Sequence, residues 1–240
     1  MLVIRMSFTS KIKTEISNDI YSLSENMAEL SGILNISVKI EDNKFEIYTE
    51  NASVAKRIYK LLKEIYHVDI KMDTGEVNTL RGNKLIVLIV GDKVDLILND
   101  LCIIKNNERI YVPSLYLVDD IRDKQSYLRG VFLMCGSIND PKTSRYHCEF
   151  VISNYNTAEY VNNLLNEMHF KSKLIKRDKN YMVYIKEAEK IGDFLRIIRA
   201  FNAVLYYEDI RIYRDHKNMV NRLNNCEIAN QEKTTITGLK

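Results

Sequence analysis

Scored at 100° and at 180° per residue, the apolar positions of this chain fall into helical stripes and short alternating runs that follow one another in a fixed order. After a short amphipathic stretch at about 9–20, Ser22-Leu23-Ser24-Glu25 reads as a capping box, with a hydroxyl and a carboxylate placed to satisfy orphan N–H groups at a helix start. The helix behind it carries Leu30-Ser31-Gly32-Ile33-Leu34. Alternation at Phe45-Glu46-Ile47-Tyr48-Thr49 gives a strand, and Asn51 caps a helix over 52–66. Strands are expected over 67–72 and 85–90, and a helix over 92–101 closes the unit.

The same order returns about 98 residues later, where Leu128-Arg129-Gly130-Val131-Phe132 matches the first helix segment. Cys148-Glu149-Phe150-Val151-Ile152-Ser153 repeats the strand. Asn156 and Glu159 predict a capped helix over 157–169, whose Leu164-Leu165 match Leu61-Leu62. Strands at 171–177 and 181–186 and a helix at 187–201 follow. Agreement in both order and residues predicts an α/β (α+β) fold made by duplicating one α-β-β-α-β-β-α unit. The expected division is a first copy over 7–112, a second over 113–207 and a helical extension over 208–240. Asn106-Asn107-Glu108 and Pro113 mark the join, and residues 1–5 are an extension without structural meaning.

At 46% hydrophobic and 28% charged, with no long run of one sign, the chain has the composition of a folded domain rather than a disordered one. Its longest apolar run, Leu85-Ile86-Val87-Leu88-Ile89-Val90, is far short of the ~18–20 residues of a membrane span, so a cytosolic protein is expected. Cys102, Cys135, Cys148 and Cys226 form no Cys-x-x-Cys pair and read as free thiols, and Cys135, His147 and Cys148 lack a fourth metal ligand. No phosphate-loop or dinucleotide-binding glycine pattern is present, so no metal and no cofactor is expected. The net charge of +3 divides into −2 over residues 1–125 and +5 over 126–240, an imbalance that suits a polyanion or a solvated surface.

A helix reading Leu-x-Gly at the head of each unit resembles the LAGLIDADG homing-endonuclease fold over about residues 24–207. That resemblance implies two motif helices side by side on a pseudo-twofold axis, with Gly32 and Gly130 at their approach and two sheets forming a saddle for DNA. By transfer, the family's metal-binding acids fall on Ser37 and Cys135. A hydroxyl and a thiol do not replace carboxylates around a hard divalent cation. Glu41, Asp42 and Asp140 are the nearby acids that could serve instead, although Asp42-Asn43 and Asn139-Asp140-Pro141 read as turns. The opening Met6-Ser7-Phe8-Thr9-Ser10-Lys11-Ile12, the segment Leu128 to Pro141 and Asn221-Arg222-Leu223-Asn224-Asn225-Cys226-Glu227-Ile228-Ala229-Asn230 look like the WhiA family. In that family a degenerate nuclease domain precedes a helix-turn-helix, which would begin near Lys240. The resemblance implies a non-catalytic, DNA-binding bacterial regulator of sporulation genes, cell division and chromosome segregation, cytoplasmic and at the nucleoid. Double-stranded DNA is the expected partner, with a protein partner also possible on the old saddle. A protein-interaction scaffold and, last, an active metal-dependent nuclease are the alternatives.

Two stretches carry the donors such a partner needs. From Ile210 to Asn225 a helical reading puts Arg211, Arg214, Asn218, Asn221, Arg222 and Asn225 in one arc and Ile212, Tyr213, Met219, Val220 and Leu223 opposite. In the hairpin from Lys171, a period of two puts Lys171, Lys173 and Arg177 on one face. Such a lysine row equally suits a guarded strand edge.

Overall fold

The computed structural model of the chain describes residues 6–41, 43–75 and 85–238; the stretch 1–5 and Asp42 lie outside the described residues. Ser7 caps α1 (Phe8–Ser17), its hydroxyl accepting from the Ser10 N–H. Ser22 and Glu25 close the expected capping box in both directions and start α2 (Leu23–Ser37). The first unit continues through β1 (Val38–Glu41), β2 (Lys44–Thr49), α3 (Ala52–Tyr66), β3 (Ile70–Gly75), β4 (Leu85–Val90) and α4 (Val94–Asp100). A small hairpin of β5 (Ile104–Lys105) and β6 (Glu108–Arg109) connects it to the second. There α5 (Ile121–Cys135), β7 (Gly136–Ile138), β8 (Cys148–Ile152), α6 (Tyr155–Glu167), β9 (Lys173–Arg177), β10 (Asn180–Ile185) and α7 (Ala188–Ile197) repeat the order, before a long α8 (Phe201–Gly238).

Each unit builds one antiparallel four-stranded sheet with the same spatial order, β1-β2-β4-β3 and β7-β8-β10-β9. Alternation along the strands turns Phe45, Ile47, Leu88 and Val90 of the first sheet, and Phe150, Ile152, Val183 and Ile185 of the second, onto the helices, where all are buried. Between the sheets' helical layers run α2 and α5. Their middle turns are buried nearly all round because each packs on its own sheet and on the other helix; Leu30, Ile33, Leu34, Leu128, Val131 and Phe132 have no exposure. The two helices touch at their glycines. A β-carbon at Gly32 would collide with the Tyr127 carbonyl oxygen, and one at Gly130 with that of Glu29.

Beside the glycines the fully buried Glu29 receives Arg57 Nε from α3 at 2.8 Å and Arg129 Nε from α5 at 2.7 Å. Arg57 also donates to the Asp19 carbonyl and the Asn26 side chain, Arg129 donates to Ser126, and the Tyr21 ring lies 3.5 Å from the Arg129 guanidinium. A lone buried carboxylate would cost several kcal/mol, roughly what two guanidinium groups and their own hydrogen bonds offset.

Four expectations change. Helix α6 starts two residues early, because Asn154 rather than Asn156 is extended and accepts from the Thr157 N–H, while Glu159 takes the Tyr155 hydroxyl instead of closing a box. The helix expected over 187–201 ends near 198, where Arg199 turns left-handed (φ 62°), so the helix expected from Ile210 is the middle of the 38-residue α8. Asn106 and Asn107, at φ 52° and 61°, are the two-residue turn of the β5–β6 hairpin, the backbone such a turn requires, and not a loose linker. Lys171 is also left-handed (φ 51°) and stands before β9, out of register with Lys173 and Arg177.

Glu29→Gln is expected to lower the unfolding free energy by about 3–5 kcal/mol, as breaking one partner of a buried ionic cluster does. Gly130→Ala is expected to lower it by about 2 kcal/mol through forced separation of the helices. Urea titrations of the two variants check both values.

Candidate nucleic-acid interface

The loop 139–147 between β7 and β8 is shaped by its own turn chemistry. Asp140 accepts from the backbone N–H groups of Lys142, Thr143 and Ser144 through its side chain and carbonyl, and also from the Tyr206 hydroxyl of α8. Asn139 closes the loop base onto the Arg145 carbonyl. Arg214 of α8 then staples the loop: its Nη1 donates to the Pro141 carbonyl at 2.6 Å and the Ser144 carbonyl at 3.0 Å, and its guanidinium lies 4.8 Å from the centre of the Tyr146 ring. Tyr146 in turn packs on Tyr207, which is buried in the core.

This docking leaves a cleft of about 500 Å³ between loop and helix, lined by Lys142, Thr143, Ser144, Arg145, Tyr213, Arg214, Lys217, Asn218 and Asn221. Four of the nine are cations and none of the nine is a carboxylate. Lys142, Arg145 and Lys217 are exposed, so they can reach a ligand without losing an internal partner's geometry. Cations with interspersed amides and hydroxyls, in a groove with one aromatic wall, are suited to phosphate oxygens and pentose rings.

The residues predicted from sequence divide. Arg214, Asn218 and Asn221 meet in the cleft, although Arg214 spends one guanidinium nitrogen on the loop. Arg222 lies a turn further along α8, exposed beside Asp215 and Asn218. Arg211 is committed to Glu208 at 2.6 Å, and Glu208 also holds Arg196. Lys171 is paired with Glu187. Lys173 and Arg177 are exposed on β9, the edge of the second sheet, opposite Tyr184 and Asn180 on its helix-free face. Lys142, Arg145 and Lys217 escaped the sequence reading. The signal for them was a loop with two cations and no acid after Asp140, and a Lys three residues from Arg214.

At the ends of α2 and α5, the Ser37 hydroxyl donates to the Ile33 carbonyl and the Cys135 thiol to that of Val131, so both side chains are turned back onto their own helices. Burial pushes the Cys135 thiol up to about 12. Lys13 of α1 stands near it, over the Phe132 ring, with burial bringing its ammonium down to about 8 against the pull of Cys135 and Glu50. A protonated thiol, a hydroxyl and an ammonium do not fit a divalent cation, and no metal-assisted step can be built on these residues.

The family model of the WhiA N-terminal LAGLIDADG-like domain matches residues 23–104, and that of the WhiA LAGLIDADG-like domain matches 124–217, which takes in Arg214 and Lys217. The chain is 38% identical over 239 residues to the probable cell division protein WhiA of Staphylococcus haemolyticus (strain JCSC1435), a match covering 98% of this chain and 76% of that one. Full-length DUF199/WhiA from Thermatoga maritima has a similar fold, with a TM-score of 0.70 at 19% identity over 93% of this chain and 74% of that chain. Mesophilic variants of the homing endonuclease I-DmoI share the fold at a TM-score of 0.50 and 15% identity, over 73% of this chain and 96% of theirs.

A lysine whose pKa drops from 10.5 to about 8 on folding is bound to its proton more weakly in the native state, so it destabilises the fold below about pH 8 and ceases to do so above 10.5. Lys13→Met is therefore expected to be more stable than the parent at pH 7, by about 2 kcal/mol after allowing for partial exposure. The difference should shrink as pH rises through 8 to 10.5 in parallel denaturant titrations.

Proposed function

The chain belongs to the WhiA family, and from that premise we propose that it is a non-catalytic regulator acting in cell division that holds the phosphate backbone of duplex DNA in the cleft between the 139–147 loop and α8. The observation that carries this reading is the lining itself, with Lys142, Arg145, Arg214 and Lys217 converging and no carboxylate among the lining residues. Like charges gathered at an exposed groove repel one another, and a polyanion relieves that repulsion while releasing its condensed counterions. Backbone contacts of this kind position a protein without reading sequence. In this reading base recognition belongs to a separate module such as the family's helix-turn-helix. Gene control in sporulation, chromosome segregation and a place at the nucleoid are the finer roles that follow from it.

A second reading, a protein partner on the helix-free faces of the sheets, draws on the charge of those faces. On the first sheet Lys39, Lys44 and Lys71 are balanced by Glu41, Glu46 and Asp73, with Lys39 and Lys44 already in ion pairs to Glu41 and Glu46. Val87 and Ile89 lie between them. A neutral, partly apolar face is poor ground for DNA and better suited to protein. The two readings use different surfaces and are compatible.

Fluorescence anisotropy of the 240-residue chain on duplex DNA over a salt series tests the first. Replacing Lys142, Arg145 or Lys217 by Ala is expected to weaken specific and random duplexes alike and to flatten the salt slope by about one unit for each cation removed. An unchanged slope in the triple variant overturns the reading. Plasmid incubated with the chain and magnesium or manganese is expected to stay supercoiled.

A further inference from the structure

Helix α8 carries two opposite faces. Ala203, Val204 and Tyr207 are buried against the domain and Arg214 is anchored on the loop, while Leu205, Ile212, Met219 and Leu223 fall within about 40° of one line on the far side at 100° per residue. Their exposures of 66%, 63%, 61% and 55% are those of large apolar side chains with nothing against them. Leu205, Ile212 and Met219 are spaced by seven, with Leu223 four further on, which is the spacing that keeps a seam on a neighbouring helix.

We infer that this stripe takes α8 of a second copy of the chain, running antiparallel. In that pairing Ile212 packs on Leu223 of the second copy, Met219 on its His216 and Tyr213 beside its Val220, each contact occurring twice about the dyad. On one flank Asp215 comes opposite Arg222 of the second copy, an attractive pair also made twice. A parallel pairing would set Asp209 against Asp209 and His216 against His216 in the seam, so the charge pattern selects the antiparallel one. The stripe lies on the side of α8 opposite Arg214 and the buried Ala203, Val204 and Tyr207, with Tyr213 on its flank shared with the rim of the basic cleft. The inference rests on no part of the DNA reading.

Sedimentation velocity of the 240-residue chain is expected to show a monomer–dimer equilibrium that shifts with concentration. Ile212→Glu with Leu223→Glu should leave it monomeric, with an unchanged melting temperature at concentrations where the parent is itself a monomer, since both side chains are exposed in the single chain. Asp215→Arg should raise the dissociation constant about tenfold, and adding Arg222→Asp should restore it. In a Cys226→Ser background, an oxidised equal mixture of the Ile212→Cys and Leu223→Cys chains should give the mixed disulfide dimer, while neither alone cross-links. A chain that stays monomeric to about 1 mM overturns the proposal, and so does self-cross-linking through the introduced thiol of either variant chain alone, without the mixed product.

Discussion

Glu29 has no exposed atom, and its two oxygens are shared between guanidinium groups from α3 and α5. Such a group tolerates no slack, because a helix displaced by even an ångström would leave a charge buried and unpaired. The close approach that makes the arrangement possible is set by Gly32 and Gly130, where either added β-carbon would strike the opposite helix's backbone. Glycine clearance and ionic closure therefore act together: the first lets the helices meet, and the second fixes their register. Since each sheet packs on its own motif helix, the relation between the two sheets follows from that single helix pair.

With the helices so fixed, β7 leaves the end of α5 at a defined angle and the loop after it meets α8. The loop is held by contacts that converge from elements far apart in sequence: Arg214 on two of its carbonyls, Tyr206 on Asp140, and Tyr207 behind Tyr146. Thr9 of α1 adds a further tie by bonding both the N–H and the carbonyl of Ile138, which also covers the free edge of β7. The cationic cleft is thus a product of tertiary packing at the rim of the second unit.

That origin explains which parts were legible in the sequence. The repeat, the capping box at Ser22 and the Asn51 cap are local or periodic signals and read correctly from one sequence, while the touching glycines followed from the family resemblance. Asn154 and Asn156 are both competent caps, and the choice between them is made by where β8 ends, which sequence does not mark. Lys171 looked like part of a basic strand face because a period of two assumes extended backbone, and the left-handed turn at that residue breaks the period. Arg211 carries an acid three residues before it, at the spacing of a helical ion pair, and that spacing accounts for its commitment to Glu208. Lys142 and Arg145 join Arg214 and Lys217 across some seventy residues, a proximity that only packing creates.

The distribution of charge in this LAGLIDADG-like fold is set apart from its core. In a saddle that clamps DNA, cations must outnumber acids on the helix-free faces, yet here the described residues of the first face balance three lysines with three acids, and the second offers Lys173 and Arg177 at one edge. At the motif-helix ends a thiol and a hydroxyl stand where acids would be needed, and a lysine stands near the thiol. None of these positions touches Glu29 or the two glycines. The core therefore sets the frame and the surface carries the chemistry, and a cleft whose lining holds four cations and no carboxylate lies where the second unit meets α8.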